Sequence, residues 1–188
     1  MKRIVIFASG SGTNAENLIK FFHNSDNASV IQLLSNNPHA KVLDRAKKLK
    51  VSALSFNRIA FERTNDVLNI LKSSKPDIIV LAGFLWKFPE HILNAFPEKV
   101  INLHPALLPK YGGKGMYGKH VHNAIVLNKE KETGITIHYV NEHYDEGAII
   151  FQAKCAVLET DSAEDVAAKI HKLEMKHFPS VVDKLLNE

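Results

Sequence analysis

The chain has almost no cysteine, no long apolar run and no block of like charge, and each shortage removes a class of protein. A single cysteine, Cys155, excludes an intramolecular disulfide and gives no reason to expect an oxidising compartment. The longest apolar stretch, "IIVLAGFLW", falls well short of the roughly 20 residues that cross a bilayer. The start "MKRIVIFASG" is basic, but its apolar run from Ile4 to Ala8 is shorter than the core of a secretion signal and feeds into glycine. Lys and Arg total 24 against 20 Asp and Glu, a formal charge of +4 with pI about 9.1, yet no long run of one sign occurs. That excess suits small anionic ligands at least as well as nucleic acid. Neither HExxH nor paired CxxC is present, so no metal is expected, and His120 and His122 in "KHVHN" read as the solvated start of a helix. The expectation is a cytoplasmic protein with no nucleic-acid and no membrane partner.

What the chain does have is alternation. Its 188 residues, 45% hydrophobic and 23% charged, suffice for one domain with a sizeable core. Strand-like "RIVIFA" leads into helical "NAENLIKFFHNS". The order repeats with "ASVIQLLSNNP" and the basic-faced helix "AKVLDRAKKLK", then "VSALSF" and a helix in "FERTNDVLNILKSSKPD" closed by Pro76. "DIIVLAGF" and "KVINLH" add two more strands. A helix near "VHNAIVLN", strands in "TGITIHYV" and "GAIIFQAKCAVL", and a helix from about Ser162 complete the chain, with Ser162 and Asp165 spaced as a capping box. Strands apolar on both faces suit a mostly parallel sheet covered by helices, which predicts a doubly wound α/β domain. Residues 105–119 form the one long irregular region, rich in glycine, and loops of that length are usually functional or mobile.

Three strand ends carry unusual chemistry. "GSGTNA" places Gly10, Gly12 and Ala15 in the G-x-G-x-x-G/A pattern of a helix N-terminus that cradles phosphate, although the glycines also suit a plain tight turn. A dinucleotide module fits less well, because Ser35, Asn36 and Asn37 stand where its ribose-binding carboxylate belongs. "AGFLWKF" follows the fourth strand and "NLHP" the fifth. All three ends should open on one crevice beyond the sheet. Asn102 and His104, two apart on a strand, share a face. An amide donor beside an imidazole, with no nucleophile adjacent, fits direct acyl transfer to an amine: Asn102 and a protonated His104 for the oxyanion, His104 for the proton. Asp145, in a turn between strands, is placed to keep that imidazole charged, or else is part of an ordinary hairpin turn. Cys155 reads as core.

The segments "SGSGTN", "VLAGFLWKFP", "INLHPALLPKY" and "GITIHYVNEHYDEGAIIFQ", in that order, resemble the folate-dependent glycinamide ribonucleotide formyltransferases of purine synthesis across essentially the whole chain. The resemblance implies one Rossmann-like domain over residues 1–188, with a phosphate-binding half (1–100) and a catalytic and folate-binding half (101–188). It implies formyl transfer from N10-formyltetrahydrofolate, as co-substrate, to the amino group of glycinamide ribonucleotide, with an amino-sugar nucleotide as the alternative acceptor and a monomer or homodimer as the assembly. Asn102, His104 and Asp145 match the catalytic trio. Gly12, Thr13 and Asn14 match the phosphate-holding segment, and His171, Lys172, Leu173 and Glu174 the stretch contacting the glycinamide substrate. For folate, the matching residues are Leu85, Trp86, Lys87 and Phe88, then Asn141, Glu142, His143, Tyr144 and Asp145, with Asn102. Arg58 resembles the folate-contacting arginine, with Arg63 as its rival. Ala106 stands where many relatives have serine, and Trp86 and Lys87 differ from the usual folate segment. Methionyl-tRNA formyltransferase and formyltetrahydrofolate deformylase carry extra domains, which a chain of 188 residues is not expected to hold.

Overall fold

Strand β1 (Lys2–Phe7) sends alternate side chains into two apolar layers, Ile4 and Ile6 into one and Val5 and Phe7 into the other, which is why its sequence is apolar from Ile4 onward. A computed structural model describes residues 1–188. After β1 come α1 (Thr13–Phe22), β2 (Ala28–Ser35), α2 (Lys41–Lys48), β3 (Ser52–Ser55), α3 (Arg58–Glu62), α4 (Asp66–Ser74) and β4 (Ile78–Leu81). Then follow α5 (Glu90–Ala95), β5 (Val100–His104), α6 (Lys119–Leu127), β6 (Glu132–Tyr139), β7 (Ile149–Ala156) and α7 (Ala163–Asn187). The sheet order is β3-β2-β1-β4-β5-β6-β7, with β1 to β5 parallel and β6 and β7 antiparallel. The chain runs outward from β1 to β3 and returns to place β4 on β1's other side. Between β1 and β4 the order reverses, and the connections after them diverge to open a crevice.

The two layers differ in kind. Helices α1, α2, α6 and α7 cover one face with aliphatic side chains such as Leu18, Val42, Ile125 and Val166. On the other face, α3, α4 and α5 enclose an aromatic cluster in which Phe7 meets Phe84 and Phe88 edge-on at 5.4 and 5.2 Å. Truncating a ring buried in this way costs roughly 3–5 kcal/mol.

Two local outcomes differ from the sequence reading. The segment expected as one helix is two: Asn57 caps α3 by accepting from Ala60 N–H at 2.9 Å, and Thr64 breaks the run by bonding Asp66 at 2.6 Å. Asn and Thr side chains compete with the helical ladder in this way. Helix α5 was not expected at all, because six residues after Pro89 are too few to show a period. The capping box at Ser162 forms, with Asp165 N–H donating to its Oγ at 3.1 Å. Helix α7 then runs on through Pro179, which has no N–H to give to Met175 O; Asn17 Nδ2 from α1 donates to that carbonyl instead, at 2.9 Å. No helix is long and apolar enough to cross a membrane.

Candidate active site

A cleft of about 790 Å³ lies at the carboxyl ends of β1, β4 and β5, a volume in the range of small-molecule sites. All three chemically unusual strand ends line it. Its lining comes from both halves of the chain, Leu85 to Phe88 from the first and His171 and Glu174 from the second.

The floor is built from β5 and β6. Asn102 and His104 emerge from the same face of β5, and His104 is 3% exposed. Antiparallel register sets His138 of β6 opposite Asn102, with Asn102 Nδ2 at 3.1 Å from His138 Nε2. Asp145, in the turn before β7 with φ of 57°, brings Oδ1 to 3.5 Å from His104 Nδ1, 3.5 Å from Asn102 Nδ2 and 3.6 Å from His138 Nε2. Its other oxygen accepts from Gly113 N–H at 2.9 Å.

Neighbouring carbonyls set the ring protons. Tyr111 O can only accept, so His104 Nε2, 2.8 Å away, carries a hydrogen; Tyr139 O likewise takes one from His138 Nδ1 at 2.8 Å. His138 Nε2 is then the acceptor for the Asn102 amide, and His104 Nδ1 is left with a lone pair facing the carboxylate. Burial pushes the His104 pKa below its ordinary value, and although Asp145 and the Tyr111 carbonyl pull it up, they do not overcome the loss of solvent, to which the neighbouring His138 adds. This corrects the expectation of a standing imidazolium: desolvation outweighs the carboxylate, and the resting ring is neutral at neutral pH. For Asp145, burial acts to raise the carboxyl, but the His138 and His104 rings in their protonated forms, together with the Gly113 N–H, outweigh it and hold it below its usual range.

At one end of the cleft stand residues 10–14 and the inner face of α7. Gly12 has φ of 76°, and a Cβ there would lie 2.1 Å from Val42 Cγ2, so both conformation and space demand glycine. Asn14 Nδ2 donates to Glu174 Oε2 at 2.9 Å, and Asn14 Oδ1 is buried without a partner. Burial pushes the Glu174 carboxyl up, against the opposing pull of Asn14 and His171. Along α7 the cleft meets Ala167, Ile170, His171 and Glu174, the three-and-four spacing of one helical face. Lys172 and Leu173 are therefore turned out of the cleft; four consecutive helical residues cannot share one face.

The other end is lined by Leu85, Trp86, Lys87, Phe88, Asn141, His143 and Tyr144. Leu85 and Tyr144 remain exposed at its rim. Glu142 faces a separate small depression with Glu62 and Lys87, because successive turn residues point to different sides. Neither Arg58 nor Arg63 lines the cleft; the Arg58 guanidinium lies over the Trp86 ring, 4.8 Å from its centroid. His122, expected in solvent, is 7% exposed and lines the cleft, because α6 turns that side of its first turn inward. His138 went unremarked in the sequence. Its signal is the polar pair Thr136 and His138, which alternate with the apolar Ile135 and Ile137.

Comparison with known proteins identifies the family. The Formyl transferase family model matches residues 2–182. The phosphoribosylglycinamide formyltransferase of Bacillus subtilis is 35% identical over 99% of the chain and 95% of its own length. A chloroplastic relative from Arabidopsis thaliana is 32% identical over the whole chain, which spans 66% of that protein. The crystal structure of glycinamide ribonucleotide transformylase 1 from Geobacillus kaustophilus superimposes with a TM-score of 0.89 at 33% identity, covering 99% of each chain. The fold, the cleft and these matches together establish that the chain belongs to the formyltransferase family.

Proposed function

We propose that the protein transfers the formyl group of N10-formyltetrahydrofolate to the amine of glycinamide ribonucleotide, a step of purine biosynthesis. One observation carries this reading: an amide donor, a buried imidazole and a carboxylate converge on the floor of a cleft that has a helix N-terminus at one end and an apolar rim at the other. The full-length likeness to phosphoribosylglycinamide formyltransferases supports the choice of acceptor. The folate supplies an acyl carbon on a nitrogen that leaves readily once protonated.

The protein's own groups have separable tasks. Residues 12–14 hold the ribonucleotide phosphate, and Glu174 orients the glycinamide amine. Asn102 has one amide hydrogen on His138; the other makes only a 3.5 Å contact with Asp145 and turns to the oxygen on which charge develops. His104 Nδ1 takes the proton that the amine sheds as its nitrogen bonds the formyl carbon, and returns it to the nitrogen that departs. Asp145, held ionised, stabilises the imidazolium formed in between. Leu85 and Tyr144 flank the flat heterocycle.

The test is spectrophotometric loss of formyl from 10-formyltetrahydrofolate with and without glycinamide ribonucleotide. Turnover that requires the ribonucleotide is expected. Consumption without it makes the protein a hydrolase, and turnover only with an amino-sugar nucleotide reassigns the acceptor.

A further inference from the structure

Arg45 belongs to α2, outside the cleft, yet it touches the loop that forms the cleft's anionic end. Its Nε donates to Ser11 O at 2.8 Å, and its Nη1 pairs with Glu16, which Lys20 also holds at 2.6 Å. One turn earlier on the same face of α2, Val42 N–H donates to Gly10 O at 3.1 Å. Both carbonyls of the loop are thus drawn back onto α2.

The consequence follows from peptide geometry. In a trans peptide the C=O and the following N–H point in opposite directions. Holding Gly10 O against α2 turns Ser11 N–H away from α2, and holding Ser11 O turns Gly12 N–H the same way. None of the backbone N–H groups of residues 10–15 donates to a protein acceptor, and residues 10–14 line the cleft. A run of free donors is therefore presented as one anion cradle. If the Ser11–Gly12 peptide rotated, it would present a carbonyl oxygen to a phosphate instead of an N–H. The Val42 bond is main chain to main chain, so the Arg45 side chain is the hold that the sequence can vary.

We propose that Arg45 is a positioning residue for phosphate binding: it acts through the Ser11 carbonyl to keep the peptides of residues 10–12 in the donor-presenting orientation. The proposal rests on the assignment of residues 12–14 to the ribonucleotide phosphate.

The experiment compares Arg45→Met, Arg45→Lys and wild type by calorimetric binding of ribose 5-phosphate, which needs no turnover, and by the KM for each substrate. For Arg45→Met we expect a roughly tenfold weaker Kd for ribose 5-phosphate and an equal rise in the ribonucleotide KM, the scale of one charge-assisted hydrogen bond. The KM for the formyl donor should hold, and Arg45→Lys, whose ammonium can donate to the same carbonyl, should recover most of the loss. Should Arg45→Met fold poorly, Glu16→Gln leaves the guanidinium in place but unpinned and should weaken ribose 5-phosphate about threefold. Wild-type binding by Arg45→Met, a parallel rise in both KM values, or no binding of ribose 5-phosphate by the wild type would each overturn the proposal. If ribose 5-phosphate binding depends on Arg45 while glycinamide ribonucleotide is not formylated, the positioning role stands and the choice of acceptor falls.

Discussion

The two walls of the cleft are held by different forces. On the wall of α1 and α7 the restraints are directional: Asn14 on Glu174, Asn17 on the carbonyl that Pro179 leaves free, Arg45 on Ser11 O. The wall of Leu85 to Phe88 and Asn141 to Tyr144 rests mainly on packing, with Phe84, Trp86 and Phe88 set against the rings of Phe56, Phe61 and Phe7, and with ties from Leu85 N–H to Ser9 Oγ at 2.9 Å and from His143 N–H to Asn141 Oδ1 at 3.0 Å. A phosphate and an amine are recognised by the placement of donors and acceptors, which tolerates little rotation. A flat heterocycle is recognised by an apolar slot, which tolerates more. Substitutions on the first wall should therefore act sharply on one substrate, and those on the second should act gradually.

The floor where the walls meet gives the largest effect. His104→Ala removes the proton carrier and should lower kcat by about 10²–10⁴ while leaving both KM values within a fewfold of wild type; a variant that loses affinity for one substrate instead would assign the ring to a wall. Asp145→Asn comes next, at about 10² in kcat, because the imidazolium loses its counter-charge. Its pH profile carries the sign. Asp145 raises the His104 pKa against burial, so the acid limb of kcat, which reports His104 becoming protonated, should move to still lower pH in the variant. An acid limb that stays in place would separate Asp145 from His104.

Legibility in the sequence followed the same division. The parallel strands, the strand-end loops and the pairing of Asn102 with His104 were readable, because period-two alternation and glycine placement are local properties. His138 was not, since its role depends on a register between two antiparallel strands that no short segment encodes. Lys172 and Leu173 were included with Glu174 because a matched stretch is linear, whereas a helix offers the cleft only every third or fourth residue. The charge state of His104 is illegible for a related reason: the carboxylate is visible in the sequence, and the depth of burial that opposes it is not.

On the packed wall, Leu85→Ala should raise the KM for the formyl donor roughly three- to tenfold and leave the ribonucleotide KM alone. The leucine is half exposed before binding and contributes only the apolar area that the ligand covers. A change confined to the ribonucleotide KM would exchange the assignments of the two walls.

Glu174→Gln should show the smallest effect and the most informative one, because it opposes binding to stability. Burial raises the Glu174 carboxyl above its ordinary value, so the folded state binds a proton more tightly than the unfolded chain does. Stability contributed by that protonated form is present below the unfolded pKa and is lost as pH rises through the folded one. At neutral pH, where the unfolded chain carries this group ionised, burying it is a net cost, and a neutral glutamine, which keeps an oxygen for Asn14 Nδ2, removes that cost. The variant should melt higher at neutral pH by about 1 kcal/mol at most, roughly 2–4 °C, with the difference vanishing in acid, where Glu174 is itself neutral. Its ribonucleotide KM should rise, since an amine gains more from a carboxylate than from an amide. Melting curves at acid and neutral pH decide the point: a variant less stable at neutral pH would mean that the carboxylate serves the fold as well as the substrate.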